Sequence, residues 1–293
     1  MHTLTSVQRE QLDRCLNGIE HLPPAPVHMI NLINLFQQPD RDVDEIVDLL
    51  LQEPALAAEI LRRCNSSFFG NEEPVTEISE AMFRLGFYEI YRLTVTLFGS
   101  KAMSAPKVGA FLDVEEIWRH CTMTAIVGGA IARELGETEG IVFTAGLLHD
   151  IGKIVLALAG GQHYATLVQR NGSFGKSFNL AERDVFEFNH AEVGAWLLGR
   201  WNIPEQIIEP VFQHHRTRWT GDFGRPAAVV NLADLMAHQI DDPEAVKSPE
   251  FPDIHPSLAL LGLQTKDLEK LETLARSDLK HSNSLLNTEI SAG

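Results

Sequence analysis

Cysteine is scarce in this chain, with Cys15, Cys64 and Cys121 as the only three among 293 residues. They are widely separated and odd in number, so they predict neither a disulfide framework nor a CxxC redox or zinc motif. The sequence therefore favours a reducing, cytoplasmic environment.

Positive charge is also in short supply. The chain has 24 lysine and arginine residues against 40 aspartate and glutamate residues, which gives a formal net charge of -16. Phosphate backbones repel a protein of this charge, so we expect no non-specific nucleic-acid binding. A small local basic face is compatible with the same balance.

The sequence also predicts neither a secretory signal nor a membrane-spanning segment. Residues 1–5 lack the charged and then apolar order of a secretory signal. Residues 141–159 have about the length of a membrane span. However, His149, Asp150 and Lys153 near the centre of this run would be costly in hydrocarbon. We therefore expect a soluble, intracellular protein without membrane contact.

The first hundred residues show none of the two-residue alternation that half-buried strands require. Instead, Val43, Ile46, Val47 and Leu50 fall at i, i+3, i+4 and i+7, the spacing of an amphipathic helix. Helical spacing and helix-start and helix-stop residues predict further helices along the chain. Helices are expected to begin at residues 43, 54 and 87, and to cover residues 5–20, 27–36, 78–85, 113–135, 141–159, 164–169, 180–187, 190–201, 204–215, 226–240 and 265–275.

These elements predict an all-α fold with two subdomains. Proline and glycine interrupt the helical patterns at residues 104–109, which makes this the best candidate boundary. We expect an N-terminal helical subdomain over residues 1–105 and a second helical subdomain over residues 106–278. Residues 279–293 are polar and small, and we expect a disordered tail there.

The most hydrophobic run contains GLLHDIGK at residues 146–153, in which His149, Asp150 and Lys153 are ionisable. A buried charge without a partner costs several kcal/mol or is neutralised, so other segments must supply partners. The candidates all lie on or at the end of other predicted helices: Glu116, His120, His190, His214, His215 and Asp234.

These side chains have the composition of a metal site. Glu116 and His120 are four residues apart, so both project from one helix face. A helical bundle can direct carboxylates and imidazoles from several helices to one point, as metal sites require. Mixed imidazole and carboxylate ligands suit Fe, Mn or Zn better than Ca.

Structural interpretations of the central residues stay open. Glu116 follows Asp113 by three residues, which fits a helix capping box. Lys153 lies three residues after Asp150 and four after His149, so the three can form a structural ion pair.

The histidines have structural alternatives as well. His190 can lie in the first turn of a helix and point to solvent. His214 and His215 suit a helix C-terminus, where an imidazolium interacts favourably with the helix dipole. We expect the remaining histidines, including His163 and His238, to be surface or core residues rather than ligands.

Several motifs together resemble the HDOD family: LPPAP at residues 22–26, GLLHDIGK at 146–153, HAEVGAWLL at 190–198, and WNIP at 201–204 followed by His214 and His215. The order His120, His149-Asp150, Asp234 resembles the wider HD superfamily of metal-dependent phosphohydrolases. The resemblance covers roughly residues 15–240. It implies an N-terminal helical subdomain packed on an HD-like subdomain, in a regulatory output module usually without demonstrated catalysis.

The resemblance also implies a metal site. The set Glu116, His120, His149, Asp150, His190, His214, His215 and Asp234, with Lys153 beside it, resembles that of the HD-GYP cyclic-di-GMP phosphodiesterases. Such a site would hold a divalent transition metal, Fe or Mn first and Zn or Ni as alternatives, with two ions. Residues 216–224 contain no Gly-Tyr-Pro, so we do not expect cyclic-di-GMP hydrolysis.

Three functions are compatible with these residues. The first is a cytoplasmic signalling module that binds signalling or regulatory proteins, or a small phosphate-containing ligand, with a structural or regulatory metal site. The second is a metal-dependent phosphohydrolase of a phosphomonoester, nucleotide or cyclic nucleotide, in which Lys153 stabilises charge on the phosphate. The third is an HD scaffold that binds a nucleotide or protein without metal.

Overall fold

The computed structural model describes residues 6–16, 22–36, 38, 42–65, 74–104, 111–171, 176–243 and 253–289. Within these ranges the regular elements are helices and no strand occurs, which confirms the all-α prediction. The helices are α1 Ser6–Leu16, α2 Val27–Phe36, α3 Val43–Leu51, α4 Pro54–Cys64, α5 Ile78–Leu85, α6 Phe87–Ser104, α7 Val114–Leu135, α8 Glu139–Leu148, α9 Ile151–Gly160, α10 Gln162–Asn171, α11 Lys176–Phe186, α12 His190–Arg200, α13 Glu205–Gln213, α14 Gly224–Asp241, α15 His255–Leu261 and α16 Asp267–Glu289.

The chain divides into two compact units. One is Ala25–Lys101, and the other combines Met1–Pro24 with Ala102–Gly293. The sequence predicted that residues 1–105 would form one subdomain, whereas α1 groups with the larger unit. The predicted boundary at residue 105 falls in a segment, residues 105–110, outside the described residues.

The helices of the smaller unit begin and end where local sequence favours it. Asp42 precedes α3, and its side chain accepts a hydrogen bond from the Asp44 backbone N–H. Pro54 occupies the first turn of α4, where its missing N–H has no cost. α5 stops at Gly86, whose φ of 84° disfavours any other residue.

Helix α7 is the centre of the larger unit, because α8, α14 and α16 all pack against it. Asp113 caps α7 by accepting from the Glu116 backbone N–H at 3.0 Å, and Gly136 ends it with a φ of 69°. Both ends were predicted from the sequence. Because both ends of α7 are fixed, His120 has a defined position beside α8 and α14.

The hydrophobic run is two helices rather than one, which corrects the prediction of a continuous central helix. α8 ends at Leu148 and α9 begins at Ile151, so His149 and Asp150 occupy the junction. By length and composition the stretch Glu139–Gly160 could span a membrane, yet 89% of its most apolar window is buried inside the protein. This burial is typical of a core segment.

A close backbone contact joins α9 to α12. A Cβ atom at Gly152 would lie 2.0 Å from the backbone oxygen of His190, so only glycine fits there. α12 begins with a capping box, in which Asn189 and Glu192 bond reciprocally to each other's backbone N–H. The contact holds the start of α12 beside the α8–α9 junction.

The C-terminal segment differs from the sequence prediction in two places. α15, His255–Leu261, lies between the predicted helices over residues 226–240 and 265–275, where no helix was expected. α16 continues to Glu289, past residue 279, where a tail was expected to begin.

Candidate metal centre

Five elements of the larger unit bring polar side chains to one place. α7 supplies His120, the α8–α9 junction supplies His149 and Asp150, and α12 supplies His190 at its first position. The remaining members are His214 and His215, directly after α13, and Asp234 of α14. The structure therefore gathers every predicted ligand except Glu116.

The first group of ligand atoms comes from His190, His214 and His215. Their candidate ligand atoms all lie within 4.8 Å of one another. The Nε2 atoms of His190 and His215 are 2.7 Å apart, and the rings of His214 and His215 are 3.9 Å apart by centroid. Three imidazoles at this separation can share one ion.

Asp150 links this group to a second one, which contains His120, His149 and Asp150 itself. Asp150 Oδ1 lies 3.2 Å from His190 Nε2, and Asp150 Oδ2 lies 3.4 Å from His149 Nε2. The two oxygens thus face different groups. A carboxylate in this position can bridge two neighbouring ions.

A third group contains His120, Asp234 and His238. Asp234 Oδ1 lies 2.9 Å from His120 Nε2 and 3.4 Å from His238 Nε2. His238 was expected to be a surface or core residue, so the structure adds it to the cluster. The sequence could have indicated this, because His238 follows Asp234 by four residues and therefore lies on the same face of α14.

Lys153 is buried beside Asp150. Its Nζ donates a hydrogen bond of 2.7 Å to Asp150 Oδ2, as the structural interpretation of the sequence proposed. Burial alone would raise the pKa of Asp150, but the nearby charges of His149 and Lys153 outweigh it and hold that pKa well below its usual range. Asp150 is therefore a carboxylate at neutral pH.

Two imidazoles point an unpartnered nitrogen into the cluster. His149 Nδ1 lies 2.7 Å from the Gly146 oxygen, and His214 Nδ1 lies 2.6 Å from the Val211 oxygen. A carbonyl only accepts, so both Nδ1 atoms carry the proton and Nε2 is left as the ligand atom. Each Nε2 is buried with no hydrogen-bond partner among the described residues.

The electrostatics of these two histidines differ. Burial lowers the pKa of His214 to about 3, so this imidazole is neutral at physiological pH. Burial also acts to lower the pKa of His149, but the Asp150 carboxylate outweighs it and raises that pKa well above the usual value. The position beside His149 Nε2 and Asp150 therefore favours a cation, whether a proton or a metal ion.

Glu182 of α11 supports His190 from behind and was not found from the sequence. His190 Nδ1 donates to Glu182 Oε2 at 2.5 Å, and the His190 backbone N–H donates to the same oxygen at 2.9 Å. Tyr164 O–H donates to Glu182 Oε1 at 2.9 Å. This leaves His190 Nε2, which faces Asp150 and His215, without the proton.

Glu116 is exposed and belongs to none of the ligand groups found in the described residues. It lies instead at the edge of an open cleft of ≈ 270 Å³ that reaches the cluster. Its lining includes His120, Asp150, Lys153 and His238. The cleft gives a small molecule access to the side of the cluster that contains the third group.

The donors suit a transition metal. They are imidazole nitrogens and carboxylate oxygens, with two buried nitrogens that lack any other partner among the described residues. This chemistry matches Fe, Mn, Zn or Ni better than Ca or Mg, which favour oxygen ligands. The residues present therefore fit a divalent transition metal.

Comparison with known proteins gives a family match. The HDOD domain model matches residues 22–217, more than half of the chain. Among solved structures, an HDOD domain protein of unknown function from Geobacter sulfurreducens is similar with a TM-score of 0.72 and 23% identity, over 98% of each chain.

Two further solved structures share the fold. A protein from Marinobacter aquaeolei proposed to act in signal transduction has a TM-score of 0.76 and 20% identity, over 96% of this chain and 66% of that one. A proposed phosphohydrolase from Shewanella amazonensis has a TM-score of 0.67 and 23% identity, over 91% and 93%. At these identities the likeness concerns the fold.

Curated relatives are longer than this chain. An uncharacterized protein of Treponema pallidum is 25% identical over 76% of this chain and 43% of its own length. Ribonuclease Y of Lawsonia intracellularis is 28% identical over 76% of this chain and 33% of its own length. The chain thus spans less than half the length of these relatives.

Proposed function

Because the chain belongs to the HDOD domain family, we propose that it is a regulatory signal-transduction module that binds a divalent transition metal at the histidine–carboxylate cluster. Fe or Mn is the expected metal, with Zn or Ni as alternatives, and the grouping of the ligands suits two ions. The expected location is the cytoplasm. The expected partners are signalling or regulatory proteins and a small phosphate-containing ligand.

The observation that carries the metal assignment is the pair of buried Nε2 atoms on His149 and His214. A buried polar atom without a partner costs about 1–3 kcal/mol, so a protein seldom keeps two of them side by side. Both are held in the ligand-competent tautomer by backbone carbonyls. Ions bound in the two adjacent ligand groups would satisfy both nitrogens.

A second function, that of a metal-dependent phosphohydrolase, is favoured by the cleft that reaches Asp150 and Lys153. Divalent ions, when bound, would polarise a phosphoryl oxygen and lower the pKa of a coordinated water. Lys153 would hold Asp150 as a carboxylate and place its ammonium beside the phosphate. The missing Gly-Tyr-Pro argues against a cyclic dinucleotide as the substrate.

Metal analysis of the purified protein tests the metal assignment. After growth with Fe and Mn, the wild type should retain at least one equivalent of transition metal. His149→Ala and His214→Ala should each lose most of it, while His163→Ala, which removes an exposed imidazole, should not. A wild type with less than about a tenth of an equivalent would exclude the proposal.

Turnover assays then distinguish a regulatory module from a metal-dependent phosphohydrolase. With the metal-loaded protein, the regulatory module predicts no hydrolysis of phosphomonoesters, nucleotides or cyclic dinucleotides above the His149→Ala background. It also predicts a protein partner that is recovered by the metal-loaded wild type and lost with His149→Ala. Metal-dependent hydrolysis that Asp150→Asn abolishes would instead establish the phosphohydrolase.

A further inference from the structure

The third ligand group offers a metal position that the sequence motifs do not contain. We propose that His238 is a metal ligand, and that it completes an outer ion position with His120 and Asp234 on the side of the cluster that faces the cleft. This inference rests on the proposed metal centre and deepens it. It replaces Glu116, the ligand expected from the sequence, with a residue of α14.

The distances fit a shared ion. Two atoms that each lie about 2.0–2.2 Å from one ion are separated by roughly 2.8–3.6 Å, for coordination angles between octahedral and tetrahedral. Asp234 Oδ1 is 2.9 Å from His120 Nε2 and 3.4 Å from His238 Nε2, so both separations lie in that range. His149 Nε2 is farther from the same oxygen, at 3.8 Å.

The backbone also favours His238. Asp234 and His238 are four residues apart on α14, so their side chains leave the same helix face one turn apart. His120 approaches from α7, and its ring stacks on that of His238 with a centroid distance of 4.1 Å and an interplanar angle of 22°. The Nε2 atoms of both rings contact the same oxygen, Asp234 Oδ1.

Accessibility distinguishes this position from the rest of the centre. The side chains of His149, His190 and Asp150 are at most 3% exposed, whereas His238 is 20% exposed and lines the cleft. A small anionic ligand that enters the cleft would meet the outer position first. The outer ion would then be the one that exchanges and senses ligand, while the inner one is enclosed.

Glu116 lacks these features. It is exposed at the cleft edge, its backbone N–H is used to cap α7, and its carboxylate is in none of the ligand groups among the described residues.

The alternative to an ion is a structural triad, in which the imidazoles of His120 and His238 both donate Nε2–H to Asp234. The two arrangements differ in what removal of His238 does to metal binding.

The experiment compares Mn²⁺ and Co²⁺ binding, by equilibrium dialysis with elemental analysis, in wild type, His238→Ala, Glu116→Gln and His163→Ala. We expect two equivalents for wild type, Glu116→Gln and His163→Ala. His238→Ala should lose one equivalent or bind it at least tenfold more weakly, with the other equivalent unchanged. Should His238→Ala fail to fold by circular dichroism, His238→Gln takes its place, because an amide is a poor ligand for these metals.

The other outcomes overturn the inference in distinguishable ways. If His238→Ala and wild type bind both equivalents alike, His238 is no ligand, while the metal centre itself stands. If Glu116→Gln loses the equivalent and His238→Ala keeps it, the ligand inferred from the sequence is the correct one. If wild type binds neither metal, the proposed metal centre fails together with the inference.

Discussion

At the scale of single residues, hydrogen bonds outside the cluster decide which nitrogen of three of its histidines faces inward. Backbone carbonyls do this for His149 and His214, and a buried carboxylate does it for His190. Glu182 is fully buried and bonded at both oxygens. These bonds orient the His190 ring.

Replacement of Glu182 by glutamine tests that role. Glu182→Gln keeps the size of the side chain but removes its charge, so His190 loses its strongest acceptor. We expect the affinity for Mn²⁺ to fall by about 10–100-fold, as for other residues behind metal ligands. Calorimetric titration with Mn²⁺ measures the change.

Asp184→Asn is the matched control, because Asp184 lies on the same helix, α11, and is exposed. It should bind Mn²⁺ like the wild type. Equal affinities of Glu182→Gln and wild type, in folded protein, would mean that Glu182 is a purely structural partner of Tyr164 and His190.

The sequence revealed the site residues that carry a strong pattern. His149 and Asp150 interrupt an apolar run, and Asp234 lies among apolar neighbours, so their burial was visible from the chain alone. Glu182 lies on an amphipathic helix with other polar residues, where only the tertiary fold distinguishes it. The sequence could not show that Glu116 is exposed, because its spacing from Asp113 and His120 fits both a helix cap and a metal ligand.

At the scale of elements, the site depends on how closely α9 and α12 approach. The contact of Gly152 with the His190 backbone allows Asp150 and His190 to face each other at 3.2 Å. Helix spacing was not predictable from periodicity, which locates a buried face but not its distance from the next helix. The break between α8 and α9 escaped prediction for a related reason, since both halves are apolar.

Gly152→Ala should therefore damage both fold and site. The added Cβ would lie 2.0 Å from a backbone oxygen, so the helices must separate. We expect a loss of about 1–3 kcal/mol in the free energy of unfolding, together with weaker Mn²⁺ binding. Urea denaturation and metal titration measure the two effects.

Gly199→Ala on α12 is the comparison variant, because a Cβ there meets nothing within 4 Å. It should leave Mn²⁺ affinity unchanged and stabilise the protein by up to about 1 kcal/mol, the helix preference for alanine over glycine. A Gly152→Ala protein as stable and as metal-competent as Gly199→Ala would refute the close contact.

At the scale of the whole molecule, the proposed metal centre joins helices that are distant in sequence, from α7 to α14. Ion removal should therefore weaken the larger unit as a whole. A ligand at about 100 times its Kd stabilises by about 2.7 kcal/mol, which for a unit of this size corresponds to roughly 5–10 °C in Tm. Scanning calorimetry with and without a chelator should show a decrease of this order.

Restoring Mn²⁺ in excess of the chelator should recover the original Tm. The His149→Ala protein serves as the reference, because its Tm should respond little to either treatment. A wild-type Tm that is indifferent to chelation, in protein shown to contain metal, would mean that the ion is bound at the surface.

A second prediction for the whole molecule concerns RNA binding and follows from the net charge of -16. The chain shares 28% identity with a ribonuclease Y, yet its own charge opposes binding to a phosphate backbone. Fluorescence anisotropy with a random single-stranded RNA at physiological salt should show no binding at micromolar protein. Micromolar affinity that weakens steeply with salt would contradict this expectation.

Anomalous diffraction from crystals grown with Mn²⁺ is the decisive test of the proposed metal centre, because it locates the ion. We expect anomalous peaks inside the cluster, within about 2.0–2.3 Å of the Nε2 atoms of His149 and His214. Crystals in which those nitrogens have no peak within bonding distance, while Mn²⁺ occupies only surface carboxylates, would contradict it.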